Sequence, residues 1–241
     1  MIEEHINYHN RYPEENKAVL GYVTWHPDLD VTPFMWWLEN GGPQFSFNTI
    51  IEEKKEDCEI FYTSNISLKH QFLLSNRLLF DEDFLYASHE DTEFWYRLKE
   101  LNLKVIYNPN AVGYHMHQVV MSEYCRNRQI KEGISRILLY TKNFRFRQYF
   151  EVDIGYHEGV FCSEYLLQDM ENLLEFVEKA ELFLYMDSFK RYFFYELLVN
   201  FYSQKGALIK LKEIIPSFDF IKEKCFKAIK AKKRERLRRH D

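Results

Sequence analysis

The run Ala18-Val-Leu-Gly-Tyr-Val-Thr-Trp25 constrains the fold more than any other segment. It is almost unbroken in apolar, β-branched and aromatic residues, the composition of a buried strand. A buried strand needs covering layers, and the flanking sequence supplies them. The spacing predicts a helix from Ile2 to Tyr12, ended by Pro13,. His26 to Pro33 reads as a loop and Phe34 to Glu39 as a short helix closed by Asn40-Gly41-Gly42-Pro43,. Cys58 to Thr63 is expected as a strand and Ser67 to Ser75 as a helix. Glu90 to Leu101 is a helix with Phe94, Leu98 and Leu101 on one face,. Lys104 to Tyr107 is a short strand, Asn108-Pro109 a turn, and Ala111 to His117 an edge strand,. Strands alternating with helices imply a layered α/β fold.

The pattern changes near residue 150, after which helical periodicity dominates. Helices are expected near 163–186, 188–204 and 217–239. Leu166, Met170, Leu173, Leu174, Val177, Phe183 and Leu184 mark an apolar stripe in the first, and Gly206 and Pro216 punctuate the series,. Two regions follow, 1–145 and 146–241. Only 8 Gly and 6 Pro among 241 residues argue against a loop-built all-β architecture.

Charge narrows the partners. The net charge of −5 disfavours nucleic acid,. Residues 230–239 hold seven Lys or Arg against Glu235, a local +6 that leaves −11 elsewhere. Such a tail suits an anionic membrane surface, or simply a solvated helix end where cations favour the dipole. Cys58, Cys125, Cys162 and Cys225 form no C-x-x-C pair, which points to a reduced, cytoplasmic setting, with the tail placing the chain at the inner membrane face,.

Four groups of residues can carry chemistry. In Ser88-His89-Glu90-Asp91-Thr92-Glu93, two adjacent carboxylates open a helix. Neighbours on a helix diverge by about 100°, so one of them faces a cleft. There it can take a proton from an alcohol, or the pair can serve the helix terminus, with Ser88 as N-cap and Asp91 closing a capping box. In Tyr114-His115-Met116-His117, a strand would place His115 and His117 on one face, as metal or phosphate contacts or as solvated edge residues,. Thr63-Ser64-Asn65-Ile66-Ser67 offers small polar groups to a polyhydroxylated ligand or caps to a helix,. Trp25, His26, Trp36, Trp37 and Phe45 offer rings that stack on sugars or fill a core,. Asp28-Leu-Asp30 and Asp81-Glu-Asp83 match a D-x-D pattern, but neither directly follows a buried strand as a diphosphate–metal site would.

In order, these pieces form a series: Thr63-Ser-Asn-Ile-Ser-Leu68, Leu79-Phe-Asp-Glu-Asp-Phe84, His89-Glu-Asp-Thr-Glu-Phe-Trp-Tyr-Arg-Leu98, Val105-Ile-Tyr-Asn-Pro-Asn-Ala111 and Tyr114-His-Met-His117. The series resembles the C-terminal half of a family 2 glycosyltransferase of the GT-A fold, over about residues 1–140. The resemblance implies a partial GT-A mixed sheet followed by a helical region. It also implies inverting, metal-dependent (Mn or Mg) transfer of a sugar from a nucleotide-sugar to a saccharide or glycan hydroxyl.

Carried over, Asp91 is the general base with Glu90 beside it, and His115 or His117 holds metal or diphosphate. Ser64 and Asn65 line the cleft, Trp25 lies near the acceptor, and Arg97 anchors the helix. His89 and Ser64 stand where the family shows glycine. The family's nucleotide-binding half, ending in its acidic D-x-D, has no counterpart before Met1-Ile-Glu-Glu-His5, so this chain alone is expected to be weakly active or inactive. The competing expectation is a non-catalytic module that binds saccharide or a partner, with the helical region mediating assembly.

Overall fold

The computed structural model describes residues 1–45, 47, 50, 56–142, 163, 166–178 and 188–215. The expected 217–239 helix, the 230–239 tail, Phe183 and Leu184 lie outside them. The chain divides into two compact units, Met1–Met121 and Ser122–Asp241. The division falls earlier than the 145/146 boundary read from composition, because helical packing begins before residue 150.

The first unit is mixed α/β. Its elements are α1 (Ile2–Arg11), β1 (Lys17–Trp25), α2 (Pro33–Asn40), a 3-10 turn (Thr63–Asn65), β2 (Ile66–Ser67), α3 (His70–Ser75), α4 (Glu90–Glu100) and β3 (Lys104–His115). The strands form one small open sheet in the order β2-β1-β3, with β2 antiparallel and β3 parallel to β1. β1 is central, and Ala18, Val19 and Leu20 are fully buried, as its apolar run requires.

Two expected elements changed. Cys58 to Thr63 is not a strand. Cys58 N donates to Val105 O at 2.8 Å, and Phe61 then turns away to stack on Trp95 of α4, rings 5.5 Å apart. The turn expected at Asn108-Pro109 is instead a bulge within the continuous β3. Gly21 pairs with Asn108 and Val23 with Gly113, so two steps along β1 answer to five along β3. Pro109 cannot donate to a ladder and is tolerated at such a bulge.

Asn65 closes that irregularity. Its Nδ2 donates to Tyr22 O at 3.0 Å and to Ala111 O at 2.7 Å, while His5 Nε2 lies 2.9 Å from Oδ1. The side chain crosses β1 at Gly21, where an added Cβ would sit 2.3 Å from both Ala111 O and Asn65 Nδ2. Glycine is therefore required by close approach. His5 and His9, one turn apart on α1, both reach Ser67 Oγ, at 2.8 and 2.9 Å,. Lys69 Nζ donates to Tyr12 O and Glu14 O, both at 2.6 Å, fixing the far end of α1.

The second unit is helical: a π-helical turn (Tyr124–Gln129) following α5 (Met121–Glu123), then α6 (Ile130–Lys142), α7 (Leu167–Glu178) and α8 (Ser188–Ile214). Gly206 does not end a helix. A Cβ there would lie 2.0 Å from Ile130 O, and one on Gly133 would lie 1.8 Å from Ser203 O. The two glycines let α6 and α8 touch backbone to backbone, beside a core of Ile137, Ala207, Leu208 and Leu211. Leu174 and Val177 of the α7 stripe are buried as expected. No helix among the described residues is long and apolar enough to cross a membrane.

Candidate functional site

In open sheets with parallel strands, ligands bind beyond the carboxyl ends of the strands. β1 and β3 end together, Trp25 pairing with His115. His26 N donates to His115 O at 3.1 Å, extending the pair by one residue. The sequence signals Trp25, His26, Tyr114, His115 and His117 thus converge at one edge. The His115 ring lies 5.4 Å from Trp25, 5.6 Å from Phe45 and 6.1 Å from His117, and His26 meets Tyr114 edge-on at 5.4 Å.

The geometry limits what each member of this cluster can offer a ligand. Trp25 is 5% exposed and its Nε1 donates to Met35 O at 3.1 Å. Its face is covered, so it supports His115 and offers no open platform to a sugar. β3 ends at His115, so the two histidines do not share a strand face; His117 lies just beyond, exposed. Among the described residues no three His, Cys, Asp or Glu side chains gather as a metal site. Two imidazoles by themselves do not meet the octahedral, oxygen-rich demands of Mg or Mn.

The two D-x-D segments are local turns. Asp81 Oδ1 accepts from Asp83 N at 3.0 Å, and the backbone N–H of Asp28 donates to His26 Nδ1 at 3.1 Å. Ser64 is exposed, whereas Asn65 is 6% exposed with its amide engaged in three internal hydrogen bonds. Asn65 is therefore a tie between α1, β1 and β3, and of the pair only Ser64 presents its side chain to solvent.

The start of α4 is the second feature. Its N-cap is His89, not Ser88, and the His89 side chain makes no cap hydrogen bond. His89 has φ 65° and ψ −5°, the left-handed region that favours glycine,. This is the position at which the resemblance leads to glycine. Asp91 is half-buried, and its Oδ1 accepts from the N–H of Thr92 at 2.7 Å. Burial pushes its carboxyl above the usual aspartate range; the hydrogen bonds from Thr92 and the nearby His89 oppose that shift,.

The rest of α4 is anchored. Glu93 holds Arg97 through two bonds of 2.7 and 2.8 Å, and Arg97 donates onward to Leu79 O at 2.8 Å. Phe80 stacks on Phe94 at 4.3 Å. Arg97 is thus an anchor, and it binds the Leu79–Phe84 segment to the helix that carries Asp91.

Sequence reasoning overlooked a third feature. A groove of about 370 Å³ lies between α1 and residues 63–67, with Met1, Ile2 and Ile6 as its apolar wall and His5, His9 and Ser67 as its polar one. The signal was present as His5 and His9 at i and i+4 on a helix. Comparison of the chain with family models, with curated proteins and with solved structures finds no match.

Proposed function

We propose that this chain carries the acceptor side of a family 2-type glycosyl-transfer site of the GT-A kind. The observation that carries the reading is Asp91: a half-buried carboxylate in the first turn of α4, entered through a left-handed residue where the resemblance leads to glycine. Burial makes this carboxylate a better proton acceptor than an exposed aspartate, while a place in the first turn of a helix favours its charged form,.

In the proposed step the acceptor oxygen forms a bond to the anomeric carbon of a nucleotide-sugar. The bond from that carbon to the diphosphate breaks on the opposite face, and the acceptor proton passes to Asp91. The nucleoside diphosphate leaves and the anomeric configuration inverts. Glu90 lies beside Asp91, and Ser64, exposed, is available to a sugar hydroxyl. The strand-end histidines are the diphosphate contacts in this reading, and no step is routed through a metal.

The specific observation that favours the competing reading, a saccharide- or partner-binding module without turnover, is the inward commitment of Trp25 and Asn65. The test is sugar transfer from a panel of nucleotide-sugars, with a nucleotide-binding βαβ half supplied in trans. Asp91→Asn should lower the rate by about 10²–10⁴-fold with the fold intact. Saccharide binding with no transfer from any donor would favour the module.

A further inference from the structure

The hydrogen-bond directions in the α1 groove follow by elimination. Asn65 Nδ2 lies on two carbonyl oxygens, so it is the amide nitrogen and Oδ1 faces His5. His5 Nε2 must then carry the hydrogen it shares with Oδ1. In neutral His5 the other nitrogen, Nδ1, is a bare acceptor, and Ser67 Oγ at 2.8 Å donates to it,. Ser67 Oγ in turn accepts from His9 Nε2 at 2.9 Å.

This is the arrangement of an activated hydroxyl: a serine on an imidazole lone pair, and the imidazole held in that tautomer by a buried amide oxygen. Ser67 and both histidines line the groove. A structural clamp needs only one of the two histidines on Ser67; the second places an N–H where charge develops as the serine proton leaves.

We propose that Ser67 is a nucleophile for acyl transfer, with His5 as its base, Asn65 as the residue that positions His5, and small esters of apolar acids as the substrate class. The apolar part of the acyl group packs on Met1, Ile2 and Ile6. Ser67 Oγ bonds to the acyl carbon as its proton passes to His5 Nδ1. The ester C–O bond breaks and the alcohol leaves with that proton. Water then releases the acid and restores the serine. Nothing in this site depends on the glycosyl-transfer reading.

The experiment treats the whole chain with a fluorophosphonate bearing a short alkyl tail and maps the adduct by mass spectrometry. Oγ–P forms, P–F breaks, fluoride leaves and His5 takes the proton. One adduct per chain is expected, on the peptide containing Ser67. Ser67→Ala should abolish it, and His5→Gln should slow it by roughly 100-fold or more. Native protein should also label at least about 100-fold faster than the urea-unfolded chain, a comparison that needs no variant. No adduct at Ser67, or labelling no faster than in the unfolded chain, would reduce the group to a clamp and overturn the proposal.

Discussion

Gly21→Ala is the sharpest test of the fold, because one methyl group meets two fixed obstacles. The new Cβ would lie 2.3 Å from Ala111 O, which is backbone, and 2.3 Å from Asn65 Nδ2. Relief requires β3 to move or Asn65 to swing out. Overpacking of a rigid site costs typically about 1–3 kcal/mol. Displacing Asn65 leaves Tyr22 O and Ala111 O unmet, at about 1–3 kcal/mol each when buried. Reduced freedom of the unfolded chain returns roughly 0.4–1 kcal/mol. The net loss is about 2–8 kcal/mol, a midpoint shift on the order of 10–30 °C.

Trp25, Trp36, Trp37 and Trp95, all the tryptophans in the chain, lie within Met1–Met121, so intrinsic fluorescence reports this unit alone. Gly41→Ala is the control, since a Cβ there meets nothing within 4 Å. Its expected effect is within about 1 kcal/mol. Equal midpoints for the two variants would refute the account of Asn65 crossing β1 at Gly21.

Other outcomes follow from the same geometry. His89→Gly should stabilise the first unit by about 0.5–1 kcal/mol, relief of left-handed strain outweighing the entropy of glycine; thermal unfolding measures it. Asp91→Asn should raise the midpoint at neutral pH, because the folded carboxyl titrates above its unfolded value and its ionised form is disfavoured by burial,. His9 has the opposite shift: burial, Lys69 and His5 hold its pKa below 6.5. The unfolded chain binds the proton first, so stability present above pH 6.5 falls as pH drops through the folded value. His9→Gln should flatten that acid slope in a pH series of fluorescence melts. Gly206→Ala should push α8 off α6 and cost several kcal/mol, read as faster amide exchange in both helices,.

What the sequence disclosed depended on how local each signal was. α1, β1, α2 and α4 were legible because their signals are local: apolar spacing within each segment, with Pro13 ending α1 and Asn40-Gly41-Gly42-Pro43 closing α2. β3 reads as two pieces in the sequence because the Asn108-Pro109 signal is the same for a turn and for a bulge. Only pairing with Gly21 and Val23 distinguishes them. Gly206 reads as punctuation because its reason, the Ile130 carbonyl, is 76 positions away in the chain. Asn65 looked like a ligand contact for the same cause: its partners Tyr22, Ala111 and His5 are distant in sequence. The convergence of Trp25, His115 and His117 was visible only as separate motifs until strand pairing joined them.

The central claim is that Asp91 removes the acceptor proton. Its most direct test is the pH dependence of kcat/KM for sugar transfer, measured with the nucleotide-binding half supplied. The account predicts an acid limb above the ordinary aspartate value of 3.8, set by the raised carboxyl, and its loss together with most of the rate in Asp91→Asn,. A profile unchanged in Asp91→Asn, with transfer at the parent rate, would contradict it.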